Sequence, residues 1–280
     1  MLASEPAQLG SWRAHLALEF ERRAARTVLA ARRHDGPLVV QKTLHPEGDE
    51  VCHAIIVHPP GGLAGGDELR LDARLEASAH VLLTTPGAGK WYRSAGPAAR
   101  QSIQFAAAPG ACLEWLPQEN IIFAGARAEL RTVVRLSGDA SYVGWEITCL
   151  GRSGSGESFV TGSYRARTVI ERNNRPLWLE NARLDGGGAA LQAAAVLAGR
   201  PVVGTLLAVS DKLNAASLVL CRSVQPATGD GAVTLLPGII VARYLGGSSE
   251  AAKRYFVKLW QFVRPVVAGR AAVAPRIWQT

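Results

Sequence analysis

Strand-period alternation, repeated in short segments cut apart by Gly and Pro, most limits what this chain can fold into. Leu16, Leu18 and Phe20 share one face of a period-two segment, as do Leu69, Leu71 and Ala73, and such alternation buries one face of a β-strand. Further short runs at Val51–Val57, 81–84, 103–105, 130–136 and 167–170 are separated by Gly, Pro or polar turns, which predicts an all-β core. Ala and Arg between 24 and 33 favour a helix on propensity, yet the preceding alternation and the Asp35-Gly36-Pro37 turn predict paired strands. One long helix is expected late, over about 248–263, where Ala251, Ala252, Tyr255, Phe256, Leu259, Trp260 and Val263 recur at helical spacing behind a Ser-Ser-Glu start. A weaker helix is expected over 189–197. No repeat and no composition shift is evident, so residues 1–280 are read as a single domain. The strand pattern alone admits a β-sandwich with appended helices.

Apolar residues make up 48% of the chain and charged ones 19%, which excludes an intrinsically disordered protein. Net charge is +8, and 26 of the 31 basic residues are Arg, a side chain suited to bidentate pairing with carboxylates across an interface. An acidic partner and simple solubility both fit that bias. The start, Met1-Leu2-Ala3-Ser4-Glu5-Pro6, has an early acid and a proline where a signal peptide would be basic and then apolar, so a cytoplasmic location is expected. The most apolar stretch, 189–210, is broken by Gln192, Gly199, Arg200, Pro201 and Gly204 and cannot span a bilayer. Cys52, Cys112, Cys149 and Cys221 stand far apart and are expected to be reduced and buried.

Most catalytic signatures fail position by position. Gly89-Lys90 has Thr84 where a phosphate loop needs its first Gly, and Trp91 where it needs Ser or Thr. The run 61–66 lacks the order of a dinucleotide fingerprint. All six His lie in the first 80 residues without ligand spacing, so no tight metal site is expected. No nucleophile elbow surrounds Ser153, Ser155 or Ser158. Asp67 and Glu68 are strand neighbours that face opposite ways, unlike a glycosidase pair. A polysaccharide-acting β-helix would need converging carboxylates and usually an export signal, and a nucleic-acid binder would use Lys90-Trp91-Tyr92-Arg93 to stack bases. The competing reading of that last run buries Trp91 at a strand end.

The segments HAIIVHPPGGLAGGDEL (53–69), TTPGAGKWYRS (84–94), LEWLPQENIIFAGARAEL (113–130) and WEITCLGR (145–152), with LWQFVRP (259–265) and PRIWQT (275–280), closely resemble the urease accessory protein family called UreD, or UreH. The resemblance covers nearly the whole chain and weakens over about 185–200 and 222–231. It implies a β-helix-like protein with a small helical part, acting as a non-enzymatic scaffold with no tightly bound cofactor. It further implies contact with apo-urease on one side and with UreF on another, UreF holding the GTPase UreG, with nickel(II) in transit through a water-filled passage. Neither nucleic acid nor membrane is an implied partner. Asp67, Glu68, Glu146 and Glu180 match positions where the family has acids along the passage. Sparse oxygen ligands suit such a route, because several imidazoles or thiolates would hold nickel too tightly to release it. Gly89 departs from relatives that carry Ser at that step.

Overall fold

The computed structural model describes residues 11–279. The chain opens with an antiparallel pair, β1 (Arg13–Arg23) and β2 (Arg26–Asp35), followed by β3 (Val39–Leu44). It then winds through successive coils. The first is β4 (Val51–Val57), β5 (Gly62–Leu63) and β6 (Glu68–Leu75); the second is β7 (His80–Thr84), β8 (Gly89–Trp91) and β9 (Ala99–Ala107). The third is β10 (Cys112–Trp115), β11 (Asn120–Ile122) and β12 (Arg127–Leu136), and the fourth consists of β13 (Ser141–Leu150) and β14 (Ser163–Arg172). Equivalent strands stack in parallel register: β4, β7, β10 and β13 form one wall, and β1, β6, β9, β12 and β14 form the wall facing it. The short strands β5, β8 and β11 make a third wall that ends on the far half of β13.

This is a solenoid of stacked coils, mainly β with a C-terminal helix. The sandwich alternative fails because sandwich sheets are built from antiparallel strands, whereas these walls are parallel at their centres. Antiparallel strands finish the structure: β15 (Arg175–Asp185) on β14, and β16 (Val202–Val209), β18 (Ile239–Gly246) and β17 (Asp230–Leu236) in turn beyond β13.

The wall of β4, β7, β10 and β13 is buried on both faces, which produces the near-continuous apolar runs expected of central parallel strands. Val81, Leu83, Leu113 and Trp115 point into the solenoid with Leu16, Leu71 and Phe105. Leu82, Val143 and Ile147 point outward beneath the late helix, with its Phe256, Leu259, Trp260 and Val263.

Between the strands lie two short helices, α1 (Ala189–Gln192) and α2 (Ala215–Arg222), before α3 (Ser249–Ala268). The weaker helix expected over 189–197 is thus one turn, too short to offset the cost of nucleation without a packed face. The late helix is longer than expected. Ser248 caps it by accepting from the Ala251 amide at 3.2 Å, and it runs through Pro265 to end at Gly269, whose φ of +68° forms a left-handed C-terminal cap. Among the described residues, no helix is long and apolar enough to cross a membrane. All four cysteines are buried and free of disulfides.

Candidate functional site

Along β13 the side chains alternate, so Tyr142, Glu146 and Thr148 face the solenoid interior while Val143, Trp145 and Ile147 face α3. Two cavities lie in that interior. One, of about 330 Å³, is bordered by His58, Lys90, Gln101, Asn120 and Arg131. The other, of about 340 Å³, is bordered by Tyr142, Thr148, Tyr164, Glu180, Thr205 and Arg243. Trp115, Thr132 and Glu146 border both, so the cavities abut at Glu146.

Two opposed sheets bring the acidic side chains together. Glu146 comes from β13, and Glu180 from β15 at the end of the facing sheet. Arg243, on β18, donates to Glu180 and, at 2.6 Å, to the Thr205 hydroxyl. Its guanidinium also lies over the Trp178 ring at 5.6 Å. Glu180 and Arg243 keep 27% and 41% of their side-chain surface exposed, which places the ion pair at the wet end of its cavity. Deeper in, Glu146 accepts from the Tyr164 hydroxyl at 2.8 Å, and Tyr164 lies 3.1 Å from the Thr148 hydroxyl. Burial pushes the Glu146 carboxyl above the usual carboxylate range, the Glu180 charge adds to the rise, and the Tyr164 hydrogen bond opposes it.

The other two acids lie elsewhere. Asp67 is buried at the turn before β6, where its carboxylate accepts from the Trp12 amide at 2.8 Å and the Ala64 amide at 2.7 Å. It borders neither cavity, although its charge opposes the burial that holds the His58 imidazole below its usual range. Asp67→Ala is expected to lower stability by about 1–3 kcal/mol in a urea titration, because two backbone donors lose their acceptor. Glu68 points outward, half exposed, between Arg100 at 3.4 Å and Arg13 at 3.8 Å. Gly89 borders the first cavity, and the Asn120 side-chain oxygen lies 2.8 Å from where a Cβ would stand. Trp91 is fully buried and donates to Asn120 at 3.1 Å, so the basic and aromatic run does not present that ring to a base.

Sequence reading missed Tyr164, Thr205 and Arg243. Each sits in an unremarkable strand pattern, and its role arises from a partner on another strand. Among the described residues, no group of three or more His, Cys, Asp or Glu side chains converges to hold a metal ion. The hydrogen-bond partners around Glu146 and Glu180 are hydroxyls and a guanidinium.

Comparison with known proteins matches residues 13–279 to the UreD urease accessory protein family model. A urease accessory protein UreD from an Azoarcus species is 55% identical over 269 residues, covering 96% of this chain and 94% of that protein. The protein of the same name from Dechloromonas aromatica is 48% identical over 281 residues, covering 99% and 98%. That from Pseudomonas aeruginosa is 48% identical over 271 residues, covering 96% of each.

Proposed function

The chain belongs to the UreD urease accessory protein family, and from that premise we propose that it conducts nickel(II) to apo-urease through the solenoid interior while bound to UreF, which carries UreG. A role in urease maturation follows from the family. The observation that carries it is the meeting of Glu146 and Glu180 on the lining of one interior cavity that abuts a second.

Nickel is cargo here. A divalent cation leaving water needs anionic oxygen to offset lost hydration, yet must leave again, so successive sites should be few in ligands and similar in strength. Glu180 offers the first carboxylate at the wetter end. Arg243 fixes its position and also lowers the local negative potential, which limits how tightly nickel is held. Glu146 offers the second, at the border between the cavities. Its raised ionisation means that arriving nickel displaces a proton, and the departing ion lets that proton return.

The direct test supplies nickel to cells expressing apo-urease, UreF and UreG, with and without this chain, and measures urease activity and nickel content. Activation confined to cells that contain the chain is the expected result. Equal activity in its absence would remove the reading.

A further inference from the structure

On the outward face of the wall beneath α3, His80, Cys112 and Glu114 stand beside apolar Leu82 and Val143 and the buried Arg264. His80 and Cys112 are register partners on adjacent parallel strands, β7 and β10, so their side chains stand on one face about 4.8 Å apart at the backbone. Glu114 lies two residues beyond Cys112 on that face, and its carboxylate meets His80 Nε2 at 2.8 Å. Glu114 is itself fixed by Trp260 Nε1 at 2.6 Å and Arg264 Nε at 3.0 Å. With Nε2 engaged, Nδ1 is the imidazole nitrogen left for the thiol. Burial opposes charge on His80, but Cys112 and Glu114 outweigh it and push its ionisation up to about 10.

Thiol, imidazolium and carboxylate thus follow the order of a nucleophile, a proton donor to its leaving group and the group that orients that donor. His80 and Cys112 also border a polar cavity of about 680 Å³ at the C-terminal end of α3, with Ser78, Ser141, Lys212 and Arg270 on its lining. The remaining cysteines border neither this cavity nor the interior ones. Burial pushes their thiols up, Cys52 to about 11, Cys149 to about 12 and Cys221 to about 11.

We propose that Cys112 is a nucleophilic thiol that exchanges with low-molecular-weight disulfides entering this cavity, with His80 as the imidazolium that protonates the departing sulfur and Glu114 as positioning residue. Cys112 Sγ attacks one sulfur of the disulfide, and the sulfur–sulfur bond breaks with its electron pair leaving on the second sulfur. His80, already protonated, gives its proton to the departing thiolate, and the proton that Cys112 loses to water restores the imidazolium. Products are a mixed disulfide on Cys112 and one free thiol; the small disulfide is the oxidant. This chemistry faces away from Glu146, on the other side of the same wall, and is independent of the nickel reading.

The full-length native protein is treated with oxidised glutathione, and separately with iodoacetamide, and each cysteine-containing peptide is followed by mass spectrometry. Cys112 is expected to react at least about tenfold faster than Cys52, Cys149 or Cys221, and His80→Gln to slow it about tenfold while preserving the bond to Glu114. Glu114→Gln is expected to alter the pH profile of the Cys112 rate, a readout that general loosening would not single out from the other thiols. The comparison among four cysteines in the unaltered protein needs no variant to fold. A Cys112 rate no greater than that of the other three would overturn the proposal, as would an unchanged rate in folded His80→Gln protein.

Discussion

Arg264→Met is expected to lower the free energy of unfolding by about 3–5 kcal/mol, the usual cost of removing one partner from a buried ion pair. The Arg264 side chain is fully buried, as is that of Glu114, and Glu47 keeps 2% of its surface exposed. Arg264 grips Glu47 with both terminal nitrogens, at 2.6 and 2.8 Å, and Glu114 through Nε at 3.0 and 3.1 Å. The guanidinium also lies 5.1 Å from the Trp260 ring centre. These bonds join α3 to β10 and to the loop before β4, elements more than a hundred residues apart in sequence. Methionine fills the volume but leaves two buried carboxylates with reduced compensation. His53 remains on Glu47, and His80 and Trp260 remain on Glu114.

Combining Arg264→Met with Glu47→Gln and Glu114→Gln should recover much of the loss, since an uncharged cluster incurs no such desolvation. Urea unfolding at neutral pH measures both, and a loss below about 1 kcal/mol in the single variant would show that the cluster contributes little net stability. The sign of the pH dependence follows. Burial alone would raise Glu47, but His53 and Arg264 hold it down to about 2, and Glu114 is likewise depressed by His80 and Arg264. Their contribution is full above the usual value of 4.5 and is lost as pH falls toward 2. His80, raised to about 10, contributes fully below its ordinary 6.5 and loses that contribution as pH rises through about 10. Stability should form a plateau between these limits, with a shallower acid limb in Arg264→Met.

Side-chain alternation states which face of a strand is buried, but not which neighbour supplies the pairing. Leu69, Leu71 and Ala73 read directly as a strand, yet the partners of β6 are β1 and β9 on either side, both parallel. The coil repeat is therefore a repeat of backbone path, invisible in residues because each level of the interior is filled by different side chains. The late helix was legible through its apolar stripe to Val263; its last turn, beyond Pro265, depends on tertiary packing of Arg264 and Val267. Six histidines in the first 80 residues suggested metal by count, whereas His53 and His80 are committed to Glu47 and Glu114. That Glu146 and Glu180 border one cavity could not be read from spacing, because the strands carrying them belong to opposed sheets.

Glu146→Leu is expected to reduce nickel per urease active site by about tenfold while leaving the chain folded and in complex with its partners, since one oxygen site on the proposed route is replaced by hydrocarbon. Leucine is close in size to the glutamate side chain, and an apolar group in place of a buried carboxyl incurs no desolvation of charge. Tyr164 loses one acceptor but keeps the Thr148 hydroxyl 3.1 Å away, so stability should change little and the transport effect stands apart from folding. Glu180→Gln should also lower nickel content, because it leaves Arg243 without its carboxylate at the wetter end, where an uncompensated positive charge repels the ion. If both acids act in series, the double variant should be little worse than the more damaging single one, whereas independent routes would multiply their losses. The pH response adds a separate check. Nickel delivery should fall on acidification as the Glu146 carboxyl protonates, and Glu180→Gln should move that fall to lower pH by removing a charge that holds the Glu146 proton in place. Full nickel content in Glu146→Leu, with the chain still in the complex, would mean that the ion does not pass this carboxylate.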